Sequence, residues 1–147
     1  MRALWLLSDW LRHRARLRRG NGRHTQGALG EDLAHRFLQK AGYMVVARNW
    51  RAEDGSGELD IVALDGGTVV IVEVKTRSST EFGLPEEAVD EAKRTHLVRT
   101  AARYAREAEV PFDEVRFDIV SVLLETHQPS IEHIRGAFSG QRIIKGF

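Results

Sequence analysis

The ten residues from Thr68 to Arg77 constrain the fold of this chain more than any other stretch. In a strand, residues two apart share a face. Val70, Val72, Val74 and Thr76 therefore line one side, and Val69, Ile71, Glu73, Lys75 and Arg77 the other. Aliphatic residues on both faces predict a central strand covered on both sides. Part-way along, one face turns from aliphatic to Glu73, Lys75 and Arg77. Charges at the end of a buried strand are costly unless they are paired or metal-bound. Whatever fold the chain adopts must supply such a partner there.

The remaining elements arrange themselves around that strand. Gly27 to Ala41 carries a helical pattern, with Leu29, Leu33 and Phe37 in one row and Ala34, Leu38 and Ala41 beside it. Gly42 stops this helix, Tyr43 to Arg51 reads as a strand, and residues 53–57 as a loop. A strand over Glu58–Leu64 joins the central one through Asp65, Gly66 and Gly67, which predicts an antiparallel hairpin. Pro85 suits the first turn of a helix running to Glu109, with Val89, Leu97, Ala101, Tyr104 and Ala108 as its buried column. Phe117–Leu124 and Ile131–Phe138 complete the strands. The order α-β-β-β-α-β-β predicts an α/β domain with a central mixed β-sheet flanked by helices.

The hairpin gives the charged strand end a chemical meaning. On strict alternation, Glu58 and Asp60 share a face with Val62 and Leu64, while Leu59, Ile61 and Ala63 take the opposite one. Counting outward from Gly66 and Gly67, Asp60 comes into register with Glu73 to within a residue. Two adjacent carboxylates repel, and one takes up a proton unless a cation intervenes. Mg2+ uses one or two carboxylates with waters and phosphate oxygens, so a divalent metal resolves the conflict. Lys75, on the side of Glu73, is then placed to orient an attacking water or offset charge growing on a phosphate. An ordinary Glu–Lys pair on a strand end, worth well under about 1 kcal/mol, is the competing reading for Glu73 and Lys75 alone. With Asp60 beside them and both strands strongly apolar, the metal site is the better one.

Two helical residues point at the same place. Lys93 interrupts the apolar column between Val89 and Leu97, so it either snorkels outward or meets the sheet's acidic end. Glu31 lies at the edge of its helix's buried face, and Gly27 and Gly30 permit close backbone approach.

Composition removes several alternatives. A chain of 147 residues fits one domain, and the absence of cysteine excludes disulfides, thiolate zinc sites and a cysteine nucleophile while suiting a reducing, cytoplasmic setting. There is no phosphate-binding Gly-x-x-x-x-Gly-Lys-Ser/Thr loop. The histidines show no metal-ligand spacing, and Asp118 and Glu125 read as solvated or structural. No apolar run is long enough for a transmembrane helix. The net charge of +1 conceals a division. Residues 1–26, a basic arm or short helix, hold seven arginines against Asp9, a net of +6; the other 121 residues sum to −5. Phosphate contact through Arg12, Arg16 and Arg19, an amphipathic helix on an acidic membrane, and a solvated terminus all fit the arm. The domain proper spans residues 27–138, and residues 139–147 form a tail.

The ordered set Gly30-Glu31, Gly57-Glu58-Leu59-Asp60, Val72-Glu73-Val74-Lys75-Thr76-Arg77, Lys93, Ala101 and Tyr104 resembles the YraN family of bacterial proteins. Phe117 to Val120 and Ile134 to Phe138 extend the likeness from Gly27 to Phe138. More distantly it is similar to archaeal Holliday junction resolvases and the PD-(D/E)XK nucleases. The resemblance implies a restriction-endonuclease-like core with Asp60, Glu73 and Glu31 as ligands of Mg2+ or Mn2+. It also implies Lys75 as catalytic lysine and Lys93 and Arg77 as nucleic-acid contacts, with Gly30, Glu58 and Tyr104 in support. Glu58 stands where the superfamily's name has proline. The activity implied is a metal-dependent endonuclease on DNA ahead of RNA, branched DNA included, working as a homodimer on a two-fold junction. A non-catalytic nucleic-acid-binding module and a membrane-peripheral or partner-recruiting protein are the rival readings.

Overall fold

The computed structural model describes residues 26–78, 89–124 and 127–140. Most of the basic arm, with Arg12, Arg16 and Arg19, lies outside the described residues, as do Pro85, Glu125 and most of the tail. Helix α1 (Gln26–Lys40) leads into strands β1 (Met44–Arg51), β2 (Glu58–Asp65) and β3 (Thr68–Arg77). Helix α2 (Glu91–Glu107) and a short 3-10 turn then precede β4 (Arg116–Leu123) and β5 (Ser130–Phe138). The five strands form one sheet in chain order. β3 and β4 are parallel and every other pair is antiparallel. A parallel pair needs a crossover connection, and α2 lies within it. This is the expected α/β mixed sheet, consistent with a restriction-endonuclease-like core.

β3 sits at the centre and separates two cores. Val70, Val72 and Val74 join Ala34 and Leu38 of α1 on one face. Val69 and Ile71 join Leu97, Val98, Ala101 and Tyr104 of α2 on the other. The alternation in the sequence thus becomes a three-layer sandwich. The two-residue turn at Gly66 and Gly67, with Gly66 at φ +60, brings Asp65 opposite Thr68 and sets the register of β2 on β3. Among the described residues no helix is long and apolar enough to cross a membrane.

Several local expectations are corrected. α1 buries Gly30, Ala34 and Leu38, not the Leu29 row; Leu29 is 50% exposed, Leu33 and Phe37 are half-buried and Ala41 is exposed. The small residues allow the helix to approach β3 closely, and that turns Leu29 outward. The second helix begins at Glu91 rather than near Pro85, because the Asp90 carboxylate accepts from the Lys93 backbone N–H at 2.8 Å and caps it. Leu59 joins Val62 and Leu64 in the α2-side core rather than Ile61 and Ala63. There β2 has left β3 and pairs with β1 alone, where Asn49, at φ +49, falls between the partners of Leu59 and Ile61. A left-handed residue of this kind breaks the regular pleat.

Asp118, read from the sequence as solvated or structural, is structural. It is fully buried at the start of β4, within a network that sequence reading did not anticipate. Its carboxylate accepts from Arg116 Nε and Nη2 at 2.9 Å and from the Gly136 N–H at 2.9 Å, and lies 2.8 Å from His133 Nε2. Arg116 reaches on to Asp65 and the Tyr43 hydroxyl, both at 2.8 Å. Burial pushes the Asp118 carboxyl up, but His133, Arg116 and Gly136 overcome it and hold it at about 2. The network ties β4 and β5 to the β2–β3 turn and to the end of α1. Asp118→Ala should cost about 3–5 kcal/mol in urea unfolding at neutral pH, because it strands buried partners. An acid held below its ordinary value stabilises the fold above that value. The gap between wild type and variant should therefore persist down to about pH 4 and close as pH falls towards 2.

Candidate functional site

The β2–β3 ladder runs from Asp65–Thr68 to Ile61–Val72 and stops. Continued by one step it would pair Asp60 with Glu73. Instead the Asp60 carboxylate turns inward, and its Oδ2 accepts from the Val74 backbone N–H at 2.9 Å. A side chain thus replaces the strand partner that β3 has lost, and the two strands part around an acidic cleft.

Glu73 is only 5% exposed. Its Oε1 lies 3.3 Å from Lys75 Nζ and 3.5 Å from Lys93 Nζ, so one ammonium comes from β3 and one from α2. Among the described residues, no such cation pairs with Asp60. Burial first, then the charge of Glu73, push its carboxyl up from an ordinary 3.8 to about 8; the Val74 N–H opposes this and Glu31 adds to it. The repulsion expected between these two acids is therefore present, and Asp60 relieves it by holding a proton.

Glu31 approaches from α1. Burial raises its pKa, against hydrogen bonding from Asn49 and the charge of Arg48. Arg48 Nη2 lies 3.6 Å from Glu31, and Nη1 bonds Asp32 at 2.6 Å. Arg48 and Asn49 thus tie the start of α1 to β1, and sequence reading missed both. The available signal was an asparagine inside a strand, a residue type depleted there and tolerant of positive φ. Glu58 is more exposed and pairs with Arg51 at 3.2 Å.

The predicted residues therefore fall into groups. Asp60, Glu73, Lys75 and Lys93 converge, and Glu31 and Glu58 stand beside them. Arg77 lies at the half-buried end of β3. Gly30 packs on Thr76 of β3. Tyr104 is buried in the core, edge-on to Trp50 with ring centroids 5.3 Å apart, and its hydroxyl has no hydrogen-bond partner. Among the described residues, no three carboxylate or imidazole groups are gathered closely enough to enclose a metal. Asp60 and Glu73 still fit a divalent cation in donor type, since both are hard oxygen donors and a cation could replace the proton that Asp60 holds.

Residues 30–122 match the profile described as "Uncharacterised protein family UPF0102". This chain belongs to UPF0102. The family is the YraN family that the sequence resembles. A UPF0102 protein of Solibacter usitatus is 58% identical over 124 residues, 84% of this chain and 92% of its own. One from Nocardia farcinica is 46% identical over 123 residues, 83% and 95% of the two chains. One from Persephonella marina is 41% identical over 113 residues, 77% and 92%. A crystal structure of a protein called SSO0001 covers 81% of the UPF0102 chain and 54% of its own at 15% identity, but its TM-score of 0.33 is too low to argue from.

Two outcomes follow from this geometry. With a chelator present, the wild-type UPF0102 chain should lose thermal stability as pH rises from about 4 to about 8, because the unfolded carboxyl releases its proton first. Asp60→Asn should flatten that slope in melting curves. Tyr104→Phe removes a buried, unpartnered hydroxyl and should leave stability unchanged or raise it by up to about 1 kcal/mol in chemical denaturation.

Proposed function

We propose that the UPF0102 chain is a divalent-metal-dependent nuclease that hydrolyses phosphodiester bonds in nucleic acid. The observation that carries this reading is the Asp60–Glu73 pair where the β2–β3 ladder ends, with Asp60 half-buried and Glu73 buried and faced by two lysines. A fold gains nothing in stability from burying two carboxylates side by side, so the pair needs a ligand to account for it.

Asp60 and Glu73 would hold Mg2+ or Mn2+, and Glu31 would have to leave Arg48 and draw in from α1 to complete the set. When bound, such an ion lowers the pKa of water and polarises a phosphoryl oxygen. Asp60 would hold the ion as the carboxylate, its proton passing to solvent on binding. Lys75, projecting from the strand that carries Glu73, orients the attacking water and offsets negative charge on the phosphate in the transition state. Lys93, half-exposed on α2, contacts a flanking phosphate, and Arg77 extends that contact along the end of β3.

DNA ranks ahead of RNA as substrate, and branched DNA ahead of linear, on the similarity to resolvases; this is analogy at the level of fold. A two-fold junction would call for a homodimer with one site per strand. The +6 arm supplies sequence-independent phosphate contacts through Arg12, Arg16 and Arg19. A non-catalytic nucleic-acid-binding module is the second reading, favoured by the hold that Arg48 and Asn49 have on Glu31.

Calorimetric titration with Mn2+ separates the two. Wild type should bind saturably, and the double change Asp60→Asn with Glu73→Gln should abolish binding. Lys75→Ala should keep the metal but slow cleavage of branched or nicked DNA by about 10²–10³-fold. A folded wild type that binds no Mn2+, even with nucleic acid present, would sink the nuclease reading and leave the binding module. Removing residues 1–23 should weaken DNA affinity and flatten its salt dependence.

A further inference from the structure

We infer that Thr76 and Thr100 are positioning residues: each seats a glycine that immediately precedes an acid of the cleft, and together they set the spacing of the carboxylates. This rests on the metal-site reading above and adds to it how the fold holds that site at working distance.

The glycines of the chain do different jobs. Gly42, Gly55, Gly66 and Gly136 have positive φ and open space where a Cβ would stand, so they serve the backbone at turns. Gly30 and Gly57 have ordinary φ but no room. A Cβ on Gly30 would lie 1.8 Å from Thr76 Oγ1, 2.8 Å from its Cβ and 2.9 Å from its Cγ2. A Cβ on Gly57 would lie 2.1 Å from Thr100 Oγ1, 2.8 Å from its Cγ2 and 3.0 Å from its Cβ. Gly140 is similarly close to the rings of Phe112 and Phe117, beside the start of β4 and away from the acids. The two glycine–threonine contacts are the ones that abut the cleft. Gly30 precedes Glu31, and Gly57 precedes Glu58 and lies three residues before Asp60.

Both threonines sit on elements that carry a lysine of the site. Thr76 follows Lys75 on β3, so the contact that brings α1 down on the sheet also sets Glu31 against that strand. Thr100 is on α2, 3% exposed, and its hydroxyl donates to the His96 carbonyl at 2.9 Å, which fixes its orientation. One turn further along, Arg103 bonds Asp54 at 2.6 Å and also Ser56. The Ala52 N–H donates to the Gly57 carbonyl at 3.0 Å and closes the same loop. Residues 52–57 are thus clamped to α2 just before β2 delivers Glu58 and Asp60. The same helix delivers Lys93 to Glu73. α2 is therefore the gauge between the two carboxylates: shifting Gly57 on Thr100 moves Asp60 relative to Glu73.

A size swap in the full chain tests this, with two readouts. One is Mn2+ affinity by calorimetry. The other is amide exchange in the metal-free protein at Val74, whose N–H is held by Asp60 Oδ2. Gly57→Ala inserts a methyl group and Thr100→Ala empties the seat. Each should weaken Mn2+ binding by about 10–100-fold, the usual cost of a lost supporting contact. Each should also speed Val74 exchange while Ile71 and Val72 stay protected. The double variant refills the seat and should return affinity to within about threefold, because changes at touching sites are not additive. Gly30→Ala should also weaken Mn2+ binding, and Thr76→Ala should not rescue it, because alanine keeps the Cβ that lies 2.8 Å from the inserted one. Gly67→Ala, in open space, should change nothing. If Gly57→Ala does not fold, Thr100→Ala and the 57/100 double variant still decide. Folded Gly57 and Thr100 variants with wild-type Mn2+ affinity and wild-type Val74 exchange would overturn the inference. So would losses at Gly57 and Thr100 that fail to compensate. A wild type that binds no Mn2+ would fail the metal reading instead, and Val74 exchange alone would then judge the threonine seats.

Discussion

The interaction on which this structure turns is the enforced closeness of Asp60 and the buried Glu73. β3 is covered on both faces up to Val74, so the Glu73 carboxylate cannot relax into solvent. Two ammonium groups serve Glu73, whereas among the described residues Asp60 is met by the Val74 N–H and by Glu73 itself. The ladder opens, a proton is retained, and both helices are anchored beside the gap. Electrostatic strain of this sort is tolerated only where the surrounding packing over-determines it. Here two glycine–threonine contacts and the Arg103 clamp do so.

Asp118 shows what the same chain does with a buried acid when stability is the only requirement. It is as deeply buried as Glu73, yet it gathers Arg116, His133 and the Gly136 N–H and is held at about 2. Asp60, at about 8, is its opposite. The difference lies in the supply of donors, since burial penalises both alike. Asp118 lies on β4 beside Val72, the residue before Glu73, so by alternation Asp118 and Glu73 fall on opposite faces of the sheet. One face carries an acid that is electrostatically complete and closes the fold. The other carries a pair that is incomplete and open to a ligand. That asymmetry separates a site from a structural ion network more sharply than the presence of acids does.

Membership of UPF0102 places this architecture in a family whose members in Solibacter and Nocardia align over most of their length. The family profile spans residues 30–122, which take in β2, β3 and α2, the elements that build the cleft. The chemistry argued for the cleft comes from this chain's own side chains.

Much of this was legible in the sequence. Period-two alternation identified β3 as central, the Gly66-Gly67 turn made β2 and β3 a hairpin, and the switch from aliphatic to charged residues marked where Asp60 and Glu73 would meet. These features are local: they follow from backbone periodicity and turn geometry, which a short stretch of chain determines by itself. Lys93 stood out for a similar reason, as a charge in an apolar column. What the sequence could not decide was every relation that depends on how elements pack across a distance in the chain. Leu29 and Leu38 look equally apolar, and only the approach of α1 at Gly30 chose which to bury. Arg116, Asp118, His133 and Asp65 are scattered, and only the sheet order brings them together. Arg48 and Asn49 gained a role when α1 came down beside β1. Local periodicity determined the elements and the place of the acids; tertiary packing alone decided their partners, because the energy of a buried charge depends on neighbours the sequence does not set side by side.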